Sequence, residues 1–181
     1  MRYIQRSKLP GDLVECGCFL GGVGIFMALL RAHLDMTDRT IWLLDTFEGF
    51  PRGEVDSLIG QDAPVDAVQF ENFLGHVKDN FAHCQADCDN IRFVEGPVEA
   101  TLPALDIRAI ALLRLDTDFY VSTKAELEHL YRKLVRGGAL IIDDYGIFQG
   151  ARQATDEFTA GLESPPLLNR IDHGVWAGVK P

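Results

Sequence analysis

Apolar positions in this chain fall into short continuous runs separated by longer stretches with helical spacing. Leu13-Val14-Glu15-Cys16 reads as a first strand, and Val23 to Leu34, apolar nearly all round, as a buried helix. Ile41 to Asp45 is a second strand, Ile91 to Val94 a short third, and Ala109 to Leu115 a fourth, apolar except for Arg114. Between the second and third, residues 46–66 hold Gly, Pro and acids and read as a long loop, and Val68 to Phe81 has a helical pattern. Leu127, Leu130, Tyr131, Leu134 and Val135 fall at i, i+3, i+4, i+7 and i+8, one face of an amphipathic helix. Thr123 with Glu126 is its expected capping box and Gly137 its expected stop. Ala139 to Ile142 is a fifth strand and Ala151 to Leu162 a helix. Ile171 and Gly174 to Val179 look like a closing pair of strands.

Strands that are apolar throughout and alternate with helices predict an α/β fold. The expected form is a doubly wound, mostly parallel sheet covered on both faces, Rossmann-like, with an antiparallel closing strand. At 181 residues, with no repeat and no linker, residues 1–181 form one expected domain. Composition narrows the partners. Hydrophobic residues make up 47% of the chain, which excludes a disordered protein, and no apolar run approaches the roughly 20 residues of a membrane span. The balance of 17 basic against 27 acidic residues, 17 − 27 = −10, argues against nucleic acid as a partner. The first eight residues carry no apolar signal core, and four cysteines without a signal peptide suggest a reducing compartment. The expected protein is therefore cytoplasmic, with no membrane and no nucleic-acid partner. Cys16 and Cys18, two apart, are expected on one strand face; with Cys84 and Cys88 they lack zinc-knuckle spacing and read as ordinary thiols.

Parallel sheets bind ligands beyond the carboxyl ends of their strands, so residues just after each strand carry the chemistry. After the first strand, Glu15-Cys-Gly17-Cys-Phe-Leu-Gly21-Gly22 is a glycine turn, where the backbone can pass close to a ligand. It matches neither G-x-G-x-x-G nor a P-loop. Asp45 ends the second strand, where a carboxylate can accept hydrogen bonds from ribose hydroxyls. Together the two favour an adenosine-type ligand. Asp116 and Asp118 end the fourth strand and Asp143 and Asp144 the fifth. Paired strands lie about 4.8 Å apart, so these acids would converge, and a hard cation such as Mg²⁺ relieves their repulsion. Asp-x-Asp with a second acid pair also fits a metal-dependent phosphohydrolase or glycosyltransferase. The glycine turn with Asp45 alone fits a non-catalytic nucleoside-binding domain.

Four segments in the same order resemble the macrocin O-methyltransferase (TylF/MycF) family. They are Val14-Glu-Cys-Gly17-x-x-x-Gly-Gly, Trp42-Leu-Leu-Asp-Thr-Phe-Glu-Gly-Phe-Pro51, Leu113-Arg-Leu-Asp-Thr-Asp-Phe-Tyr-Val-Ser-Thr123 and Gly137-Gly-Ala-Leu-Ile-Ile-Asp-Asp-Tyr-Gly146. The resemblance implies a class I methyltransferase fold, S-adenosylmethionine as donor, Mg²⁺, and a hydroxyl of a small natural product, such as a sugar, as acceptor. It implies that Asp116, Asp143 and Asp144 hold the metal and that Asp118 is the base, so Asp116 and Asp118 are the expected catalytic pair. It places Glu15 and Gly17 by the methionine half, Asp45 on the ribose, and Gly96, Val98 and Glu99 by the adenine, with Gly21, Gly22 and Thr46 also expected to bind the cofactor. Family members carry a longer segment before the first strand, where ten residues (Met1 to Pro10) stand here. That difference leads to the expectation of either a minimal relative with a different acceptor or one that borrows a wall of the acceptor site from a second copy in a homo-oligomer. Residues 46–77, acidic and without Lys or Arg from 53 to 77, are the expected lid.

Overall fold

The computed structural model describes residues 1–49 and 72–181. Residues 50–71 of the expected lid therefore lie outside the described residues. Strands β1 (Asp12–Cys16), β2 (Ile41–Asp45), β3 (Ile91–Glu95), β4 (Ile110–Leu115), β5 (Leu134–Ile142), β6 (Asn169–Arg170) and β7 (Trp176–Val179) form one sheet. Their order is β3-β2-β1-β4-β5-β7-β6. The first five are parallel, while β7 runs antiparallel to β5 and β6. Helices α1 (Arg2–Arg6), α2 (Gly22–His33), α3 (Phe73–His83), α4 (Val98–Thr101), α5 (Tyr120–Leu130) and α6 (Gln149–Ala160), with a short 3-10 helix at Leu102–Ala104, complete the described elements.

The sheet is apolar on both faces. Leu13, Ile41, Leu43 and Ala111 pack with Ile25, Met27 and Ala28 of α2 and Phe73, Val77 and Phe81 of α3. Val14, Cys16, Leu44, Leu113, Leu115, Leu140 and Ile142 pack with Leu127 and Leu130 of α5. Each such Leu or Ile, taken out of water, contributes about 1.5–3 kcal/mol. Asp12 ties the entry of β1 to β2, its Oδ1 accepting from Thr40 N at 3.1 Å and its Oδ2 from Trp42 Nε1 at 2.9 Å.

Several local expectations are corrected. The helix expected through Val135 ends at Leu130, and Leu134 and Val135 already belong to β5. Apolar residues that continue from a helix into a strand keep the helical spacing by coincidence. Gly137 is not a helix stop; it sits inside β5 at φ +78°. The capping box also fails, because Phe119 is the N-cap and Thr123 and Glu126 are buried within α5. Cys16 and Cys18 do not share a strand face. Gly17 takes φ +78° and turns the chain, so the two thiols enter opposite core layers. α2 is not buried all round, since Phe26 and Leu29 are exposed. The described part of the helix expected at Val68–Phe81 starts at Phe73.

Candidate active site

The switch in strand order falls between β1 and β4, and the acidic strand ends meet there. Register places Glu15 beside Arg114, and Arg114 beside Ile141. Side chains alternate along a strand, so Asp116 and Asp143, two residues further on, point to the same face as Arg114. Arg114 Nη1 donates to Glu15 Oε1 at 2.8 Å and to Asp116 Oδ2 at 2.6 Å, and its Nη2 lies 3.0 Å from Asp143 Oδ1. The strand ends are stitched by Asp116 N donating to Cys16 O and Asp143 N to Leu115 O, both at 2.9 Å.

Beyond β4 the chain reverses direction. Asp118 takes φ +69°, a left-handed conformation unusual outside glycine. Its N–H donates to Asp144 Oδ2 at 3.1 Å. Thr117 Oγ1 donates to Oε1 of the fully buried Glu126 at 2.9 Å. Glu126 thus grips the turn from inside the fold.

Asp116, Asp143 and Asp144 each offer a carboxylate oxygen, all within 4.8 Å of one another. Burial pushes the carboxyls of Asp116, Asp118 and Asp144 well up, and neighbouring carboxylates push Asp116 and Asp144 further; Arg114 pulls Asp116 back only in part. Glu15 is raised to about 7, chiefly by burial. Carboxyls driven toward protonation by burial and repulsion, as Asp116 and Asp144 are, are ones that a hard cation satisfies, and three converging carboxyl groups are hard oxygen donors that suit Mg²⁺.

The glycine turn lies beside this cluster. A Cβ on Gly17 would sit 1.8 Å from Asp116 O, so the end of β4 already requires glycine there. Gly21, at φ +83°, is the N-cap of α2. Gly22 is exposed, with nothing within 4 Å of where a Cβ would stand. Asp45 Oδ2 accepts from Cys18 N at 2.6 Å and Phe19 N at 3.0 Å, and its Oδ1 from Phe47 N at 2.9 Å. Its carboxylate therefore shapes the turn and offers a ribose only the lone pairs these bonds leave. Thr46 Oγ1 accepts from Glu48 N. Gly96 N donates to Asp45 O at 2.9 Å, which brings the turn after β3 against the end of β2. Val98 is buried in the core and presents no side chain to a ligand, whereas Glu99 is exposed. Glu15, 1% exposed, is the partner of Arg114 and has no free surface beside the turn.

Arg114 and Glu126 are the site residues that pattern reasoning passed over. A single charged residue in an otherwise apolar strand, two before an aspartate, was the signal for the first. Nothing local marks the second, because a buried helix acid looks like a capping residue.

Residues 1–178 match the macrocin-O-methyltransferase (TylF) family. The chain belongs to that family. It is 37% identical over 176 residues to the demethyldecarbamoylnovobiocin O-methyltransferase of Streptomyces niveus, covering 94% of this chain and 66% of that one. It is 40% identical over 179 residues to the 8-demethyl-8-(2,3-dimethoxy-alpha-L-rhamnosyl)-tetracenomycin-C 4'-O-methyltransferase of Streptomyces olivaceus, covering 93% of this chain and 66% of that one. The chain thus spans just under two thirds of the length of these relatives. Its structure superposes on the O-methyltransferase NovP with a TM-score of 0.83 at 34% identity, covering 99% of this chain and 75% of that one. The TylF fold here is the class I methyltransferase fold, a seven-stranded, mostly parallel sheet with its last strand reversed. Among the described residues no helix is long and apolar enough to cross a membrane.

Proposed function

We propose that this TylF-family protein is an S-adenosylmethionine-dependent, Mg²⁺-assisted O-methyltransferase acting on a hydroxyl of a small molecule, a sugar or related natural product. The observation that carries the reading is the convergence of Asp116, Asp143 and Asp144 within 4.8 Å, at the mouth of the glycine turn. The relatives named above methylate small natural-product acceptors by their names, which supports the acceptor class. Family membership favours methyl transfer over the phosphohydrolase, glycosyltransferase and nucleoside-binding alternatives.

In this reading Asp116, Asp143 and Asp144 hold the cation, and Gly22 leaves room for the donor beside a turn held by Asp45. Bound there, the cation lowers the pKa of an acceptor hydroxyl and the sulfonium supplies the methyl group. Asp118 accepts the hydroxyl proton. Burial raises its carboxyl toward neutrality, which suits a base working near pH 7. Asp144 holds Asp118 by its backbone N–H, and Glu126 with Thr117 holds the turn that presents it. The reading invokes neither nucleic acid nor a membrane surface, and it places the protein in the cytoplasm. A homo-oligomer is compatible with it.

The test compares Asp116→Asn and Asp143→Asn with the wild type. Turnover of a glycosylated hydroxyl acceptor should fall at least about 100-fold. S-adenosylhomocysteine binding, measured by calorimetry, should stay within threefold. Equal turnover with EDTA and with Mg²⁺ refutes the cation, and absence of S-adenosylhomocysteine binding refutes the donor.

A further inference from the structure

Arg114 sits where β1, β4 and β5 meet, and its guanidinium does more than neutralise charge. One of its nitrogens holds Asp116, on its own strand, while the other holds Asp143, on the next. Each carboxylate gives the guanidinium one oxygen, Oδ2 of Asp116 and Oδ1 of Asp143, and keeps its second. The guanidinium is anchored in turn by Glu15 Oε1 at 2.8 Å, on a residue 1% exposed. A planar fork with donors at fixed angles transmits that anchoring to both partners, which a single ammonium does not do. Two side chains on different strands thereby acquire a fixed separation through one rigid group.

We propose that Arg114 is a positioning residue that fixes the oxygens of Asp116 and Asp143 for a divalent cation, with Glu15 as the buried anchor that fixes Arg114. This inference rests on the cation site proposed above. Carboxylates that bind metals are commonly oriented by such hydrogen bonds, and their loss weakens metal binding by about 10–100-fold. The opposite effect is also physical. A guanidinium near a cation repels it, so if Arg114 acted only as a charge its removal would tighten cation binding.

Arg114→Lys separates the two effects, because it keeps the charge and removes the fork. Mn²⁺ binding to the metal-free protein is followed by the loss of the free-ion electron paramagnetic resonance signal. S-adenosylhomocysteine binding is measured by calorimetry in EDTA. Positioning requires Arg114→Lys to weaken Mn²⁺ about tenfold, Arg114→Met to weaken it at least as much, and Glu15→Gln to weaken it a few-fold. S-adenosylhomocysteine affinity of Arg114→Lys should stay within threefold of the wild type. Wild-type Mn²⁺ affinity in Arg114→Lys, or tighter binding in Arg114→Met, overturns the inference and leaves the cation site standing. A wild-type protein that binds no Mn²⁺ overturns both. Arg114→Met strands Glu15, so if it does not fold, Glu15→Gln/Arg114→Met removes both partners and carries the same expectation.

Discussion

Gly17→Ala perturbs the fold and the acid cluster through one contact. The added methyl would stand 1.8 Å from Asp116 O, and real Cβ atoms essentially never approach closer than 3.0 Å, so the end of β4 must retreat by 3.0 − 1.8 = 1.2 Å or more. The φ of +78° is itself unfavourable for alanine, by about 1–2 kcal/mol. Losing the bond from Asp116 N to Cys16 O adds about 0.5–1.5 kcal/mol. The sum, about 1.5–3.5 kcal/mol, corresponds to a fall of about 3–14 °C in melting temperature for a chain of this size. The retreat also carries Asp116 away from Asp143 and Asp144, so Mn²⁺ affinity should fall with it. Gly22→Ala is the control. It meets nothing within 4 Å and starts a helix, so its stability should stay within about 1 kcal/mol of the wild type. If the donor lies there, S-adenosylhomocysteine binding by Gly22→Ala should weaken about tenfold or more. Thermal unfolding in EDTA, followed by circular dichroism, reads the first effect and calorimetry the second. A Gly17→Ala protein that melts within 2 °C of the wild type would show that the turn does not bear on β4.

Two further outcomes follow from the buried acids. Burial pushes the Glu126 carboxyl well above the usual carboxylate range and so favours its uncharged form, and Glu126→Gln should change stability by less than about 1 kcal/mol in urea unfolding; a loss above about 2 kcal/mol would mean that the charge is needed. Glu15, Asp116, Asp118 and Asp144 all have carboxyls raised in the folded protein, Glu15 to about 7, so the folded state holds more protons than the unfolded state above about pH 4. Their contribution is complete below that point and is lost as pH rises through the folded values. Stability in EDTA should therefore decline from pH 5.5 to pH 8, and stabilisation by Mg²⁺ should be larger at pH 8; a rise in stability over that range in EDTA would refute the assignment.

The frame of the fold was readable because burial on both faces writes strands as continuous apolar runs. Leu13–Cys16, Ile41–Asp45 and Ile91–Val94 lie within or coincide with β1, β2 and β3. The errors cluster where one element runs straight into another. Leu134 and Val135 satisfied the helical period of α5 while belonging to β5, since spacing does not register a chain reversal at Tyr131–Lys133. α1 and α4 are too short to show a period. The convergence of Asp116, Asp143 and Asp144 was legible because it needs only adjacent parallel strands ending together. The work done by Glu15 and Arg114 was not, because these two partners are 99 positions apart in sequence; Glu126 holds Thr117 nine positions back, a spacing with no pattern of its own. Asp45 shows the reverse case, where position was foreseen but its bonds to Cys18, Phe19 and Phe47 were not.

The seam between β1 and β4 divides the chemistry between two stretches of chain that meet nowhere else in sequence. The glycine turn belongs to the first and every aspartate of the cluster to the second. A protease cut beside the exposed Arg108 would leave each product with one half of the apparatus. Neither half would gather the acids around the turn until the pieces reassociated along that seam. The recovery of Mn²⁺ binding on mixing would then report reassociation itself.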